Sequence, residues 1–93
     1  MFQMPVKFRV AQIIFHNEGV SNQAIYEMLK KEYPLDRNVN EKGVEANLLS
    51  LKAVGIIQPM DAKIDEKGNL IQYYQITQYG SNRMTHLNIN YST

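Results

Sequence analysis

The chain has 93 residues, 44% of them hydrophobic and 20% charged, with a formal net charge of +1 and no cysteine. That length suits one small domain, and the composition is that of a globular chain rather than a disordered one. The missing cysteines exclude a disulfide framework, a thiolate metal site and a thiol nucleophile, and fit a reducing, cytoplasmic setting.

The first predicted helix runs from about Pro5 to Asn17. Proline is tolerated in a first turn, where its missing N–H has no partner to lose. Val6, Val10, Ile13 and Ile14 make one apolar face, and Phe8, Ala11 and Phe15 make a second. A helix that is apolar on two sides must cover both. The second face is covered either by the C-terminal segment of the same chain or by a second copy, in a homodimer.

Glu18 and Gly19 end this helix, and Val20 starts a short strand. Ser21 is suited to cap a second helix, since its hydroxyl can accept from a free backbone N–H. Ala24, Ile25, Met28, Leu29 and Tyr33 are its inward residues. The helix stops before Pro34, because the residue preceding proline avoids helical dihedrals. The link 34–39 follows, and Asn40 caps a third helix over about 40–54. Gly43 weakens its first turn slightly. Val44, Leu48 and Leu51 share one face at i, i+4 and i+7. Gly55 stops the helix, because glycine takes the left-handed conformation there without steric cost.

From Ile56 the period becomes that of a strand. Met60, Ala62 and Ile64 alternate with Asp61, Lys63 and Asp65, which predicts a half-buried strand. Pro59 cannot donate to a ladder and marks an edge. Residues 65–69 form a hairpin loop, with Gly68 and Asn69 suited to positive φ. A hairpin symmetric about Lys67 pairs Met60 with Tyr74 and Ile64 with Leu70. The returning strand ends at Ile76, and Thr77 caps a short last helix to about Leu87. The expected organisation is one α+β domain over 1–93, with an ordered core of about 5–87 and a loose polar tail over 88–93.

The order is helix, helix, helix, strand, strand, helix. Val44–Ile57 resembles the recognition helix and exit strand of winged helix-turn-helix transcription regulators: a valine start, two leucines three apart, then glycine and two aliphatics. Residues 73–80, YYQITQYG, resemble the second wing strand of the PadR and MarR type, where aromatic–x–aliphatic–Thr–x–x–Gly leads into the last helix. The resemblance implies a three-helix bundle with an antiparallel wing of two or three strands, and a sequence-specific DNA-binding regulator. Helix 3 would enter the major groove of double-stranded DNA and the wing, about 56–76, would meet the flanking backbone. Carried over by position, Asn38, Asn40, Lys42, Glu45, Ala46 and Ser50 would face base edges. Arg37 and Lys42 would hold phosphates at the helix start, and Lys63 and Lys67 would do so from the wing. The plain alternatives are Asn40 as a cap only, and Lys42 and Ser50 as solvated surface.

Helix 3 sets Glu41 and Glu45 against Lys42 and Lys52, and the hairpin sets Asp61, Asp65 and Glu66 against Lys63 and Lys67. Neither is a positive face, although phosphate neutralisation supplies nearly all nonspecific DNA affinity. Leu49 lies off the core stripe, where the family often places a polar residue. It either fills a gap between helices or marks a protein contact, and the latter keeps a second reading open, a winged-helix protein-interaction module that uses Leu49 and does not bind DNA. PadR-like regulators usually dimerise through a long C-terminal helix, for which this chain has little room. Phe8, Ala11 and Phe15 are the substitute candidates for a dimer contact.

A small enzyme is a third and weaker reading. His16 and His86 make no metal motif, no glycine loop is shaped to cradle phosphate, and no nucleophile has a recognisable setting. No catalytic residue, metal or cofactor is expected. No apolar run approaches the about 18 residues of a membrane span, and the opening MFQMPVKF lacks the apolar centre of a secretory signal. The triplet Asn90-Tyr91-Ser92 matches a glycosylation acceptor by coincidence.

Overall fold

The computed structural model describes residues 4–91, and the side chains of 4–86. Its elements are α1 (Val6–His16), β1 (Val20–Ser21), α2 (Asn22–Glu32), α3 (Glu41–Ala53), β2 (Ile57–Ile64), β3 (Leu70–Ile76) and α4 (Gln78–Tyr91). This is a winged helix-turn-helix. Three helices surround one core, and a three-stranded antiparallel sheet of order β1-β3-β2 forms the wing.

The periodicities place the core as expected. Val10, Ile13 and Ile14 from α1 meet Ile25 and Leu29 from α2 and Val44, Leu48 and Leu51 from α3. Ile57, Tyr74 and Met84 close it from the sheet and α4. Ala24 departs from its expected inward position and is exposed. The caps act as the sequence implied. Ser21 Oγ accepts from the Ala24 N–H at 3.1 Å, and Gly55 ends α3 with φ +81°. The bidentate Arg9–Glu32 pair joins α1 to α2, with Nε to Oε1 at 2.7 Å and a second guanidinium nitrogen to Oε2 at 2.8 Å.

The two stretches that carried the resemblance dock on each other. The Thr77 hydroxyl donates to the Gly55 carbonyl at 2.6 Å and accepts from the Gly80 N–H at 2.8 Å. The Thr77 N–H donates to the Ile56 carbonyl at 3.0 Å. A Cβ at Gly80 would overlap that same carbonyl oxygen. Threonine and glycine three apart are thus both needed: one ties the exit of α3 to the start of α4, and the other lets the two backbones touch.

The wing corrects three expectations. Near its tip the register is symmetric, with Ile64 opposite Leu70, but Tyr74 faces Pro59 and not Met60. A bulge between Pro59 and Ala62 accounts for the slip, since one extra residue on β2 shifts every later pair by one. β2 is also not half-buried. Past Ile57 every residue of this edge strand is exposed. Of the two loop residues suited to positive φ, only Gly68 uses it, at +86°.

The end of the chain differs as well. α4 continues through Tyr91, so residues 88–91, expected in the tail, are helical. The rest of that tail, 92–93, and Ser92 of the glycosylation-like triplet lie outside the described residues. On α1, Ala11 is 2% exposed and belongs to the core. As a dimer contact it is corrected, since a second copy could reach it only by opening the domain. α4 packs on α1 within the chain. Phe8 and Phe15 are half-buried against the same core.

Candidate nucleic-acid interface

The approach to α3 is a series of tight turns. The Asp36 N–H donates to the Tyr33 carbonyl, the Val39 N–H to the Asp36 carbonyl, and the Asn38 N–H to the Asp36 carboxylate at 2.8 Å. This folds the link back over the first turn of α3. A Cβ at Gly43 would overlap the Asn38 carbonyl oxygen. Gly43 is therefore required by close approach, where its propensity alone reads as a small cost.

Asn40 is occupied at both ends of its amide. Its oxygen accepts from the Gly43 N–H at 2.8 Å, and its nitrogen donates to the Arg37 carbonyl at 2.7 Å. A bidentate contact to adenine needs both groups, so capping uses the chemistry that base reading would require. Arg37 and Asn38 are exposed on the link beside it.

The exposed stripe of α3 is Glu41, Lys42, Glu45, Ala46, Leu49, Lys52 and Ala53. Leu49 stands in the middle of it at 55% exposure. Ser50 lies at its margin, half-buried, and accepts from Lys7 Nζ at 3.0 Å. Sequence reasoning missed Lys7. It stands 43 positions away on α1, and no local pattern joins the two. Glu45 faces the other flank, roughly 140° round the helix at 100° per residue. There it lines a cleft of about 360 Å³ with Tyr26 and the wing residues Asn69 and Leu70. Burial pushes the Tyr74 phenol up, and the Glu45 carboxylate adds to the effect.

The wing is held by side chains that reach across from α2. The Asn22 amide oxygen accepts from the Gln72 N–H at 3.1 Å, and its nitrogen donates to the Leu70 carbonyl at 3.3 Å. This continues the two-residue pairing of β1 with β3. Asp65 organises the loop by accepting from the backbone N–H groups of Asn69 at 2.8 Å and Lys67 at 2.9 Å. Those bonds, Asn69 first, and a further one from Gln23 hold its carboxyl below the usual range. Lys63 and Lys67 are exposed on this ribbon.

The structure therefore brings Lys42, Glu45 and Ala46 onto one stripe, with Arg37 and Asn38 at its start and Lys63 and Lys67 on the separate wing. Ser50 and Asn40 are engaged within the chain. Among the described residues no group of three or more His, Cys, Asp or Glu side chains could hold a metal ion. No described helix is long and apolar enough to cross a membrane.

No protein-family model matches the chain, and no curated protein sequence matches it. Among solved structures, a PadR-like transcriptional regulator from Bacillus cereus superposes with a TM-score of 0.71 at 19% identity, covering 94% of this chain and 81% of that one. The chain thus shares its fold with that regulator.

Proposed function

We propose that the protein is a DNA-binding transcription regulator that reads the major groove with α3 and meets the flanking backbone with the wing. The observation that carries this reading is the exposed stripe of α3 beside an exposed wing, in a fold shared with a transcriptional regulator. Lys42, Glu45 and Ala46 are the groups offered to base edges. Arg37, Lys63 and Lys67 are the phosphate contacts, and Lys7 adds a cation on the flank of α3 opposite the wing. The reading places the protein in the cytoplasm and gives it no catalytic step. It acts as a homodimer, which doubles a charge-balanced surface across two half-sites. The exposed parts of Phe8 and Phe15, with α4, are the candidate contact.

Fluorescence anisotropy with generic duplex DNA at two salt concentrations tests the proposal. Binding should weaken with salt, and Lys42→Ala and Arg37→Ala should each weaken it further. No binding at low salt would refute it. A second reading, a protein-interaction module, is favoured by the exposure of Leu49. It expects no DNA binding and a partner that is lost with Leu49→Glu.

A further inference from the structure

The outward face of α3 is short of ordinary base-reading groups. Asn40 uses both ends of its amide on the helix start, and the Ser50 hydroxyl accepts from Lys7 Nζ. Glu41, Lys42 and Glu45 remain toward the N-terminal end of the stripe. Its centre is apolar: Ala46, Leu49 and Ala53 follow one another at i, i+3 and i+7, all exposed. Cations bracket this centre. Lys42 and Lys52 lie about 15 Å apart along the axis at 1.5 Å per residue, and Lys7 stands at the margin beside Ser50.

A major groove offers partners for both kinds of group. Its phosphate walls are about 12 Å apart, and the only apolar group its floor presents is the 5-methyl of thymine. Long lysine side chains can reach the walls while a central leucine meets the floor. We infer that Ala46 and Leu49 form a methyl-sensing centre, so that the preferred site places thymine beneath the middle of α3. This rests on the DNA-binding reading. It assigns Leu49, the residue least expected on a recognition face, the main part of the discrimination.

The experiment selects duplexes from a randomised pool with the wild-type protein at low salt. Each thymine of the selected site is then replaced by deoxyuridine, which pairs identically and lacks only the methyl group. Affinities are read by anisotropy for wild type and for Leu49→Ala, with circular dichroism confirming that both are folded. At one or two positions the wild type should lose about fourfold, the worth of one buried methyl. Leu49→Ala should bind thymine and deoxyuridine duplexes nearly alike at those positions. Selected binding with no deoxyuridine penalty overturns the inference and leaves DNA binding standing. A penalty that Leu49→Ala retains also overturns it. If no duplex is selected, the DNA-binding reading itself falls.

Discussion

Replacing Thr77 with valine keeps the shape of the side chain and removes its hydroxyl, which accepts one bond and shares its donation between the Gly55 and Ile56 carbonyls. The bond accepted from the Gly80 N–H caps α4 at 2.8 Å, and losing such a cap costs ~1 kcal/mol. The bond donated to the Gly55 carbonyl is 2.6 Å long. Gly55 is exposed, so water can replace that donor and the loss is about 0.5–1 kcal/mol. Gly80 is buried, and its N–H has no such recourse. The sum is about 1.5–2 kcal/mol, or roughly 10 °C in Tm for a domain of this size. Urea titration followed by circular dichroism measures it, with Thr77→Ser as the control that keeps the hydroxyl. A valine variant within 0.5 kcal/mol of wild type, or a serine variant equally damaged, would refute the assignment of this hydroxyl as the link between α3 and α4.

Other outcomes follow from the same geometry. Gly43→Ala should destabilise by about 1–3 kcal/mol, because its methyl meets the Asn38 carbonyl. Helix propensity alone expects a gain of ~1 kcal/mol, so the sign of the change in urea midpoint decides. For the Arg9–Glu32 pair, partly exposed on both sides, a double-mutant cycle with alanine should give a coupling of about 0.5–1 kcal/mol that shrinks in high salt. The hydrogen bond from Arg9 lowers the Glu32 pKa in the fold. Its contribution is therefore present above the unfolded carboxylate value and is lost as pH falls through the folded one. Asp65, also held low, should show the same direction locally. The amide resonances of Lys67 and Asn69 should shift together as acid protonates it, and Asp65→Ala should abolish that shared titration.

What was legible in the sequence was local. Ser21, Asn40, Gly55 and Thr77 could be read as caps or stops because each acts within a turn of its own position. The core stripe of α3 could be read because 3.6-residue spacing leaves few other faces. Near its turn, the hairpin register could be read from the loop. Beyond the bulge it could not, since nothing in Pro59-Met60-Asp61 announces the extra residue. The alternation in β2 was real but had no neighbour to bury it. The candidate interface depended on which polar groups were already engaged. Lys7 reaching Ser50, and Asn40 closing on Arg37, were decided by how the helices and the link pack. Gly43 shows the same limit: propensity judged it alone, while its role lies in a carbonyl five residues earlier.

Among the described residues, the outer flank of β2 pairs with no other strand. An exposed strand of eight residues that carries Met60 and Ile64 would ordinarily invite pairing with another chain, and so fibre growth. Here Pro59 withholds a donor and the bulge after it breaks the ladder's spacing. Asp61 and Lys63 add charge that a stacked copy would have to accommodate. The opposite flank, β1, is only two residues long and offers too little to extend. The irregularities that disturb this ribbon thus let it project into solvent without becoming a template for aggregation.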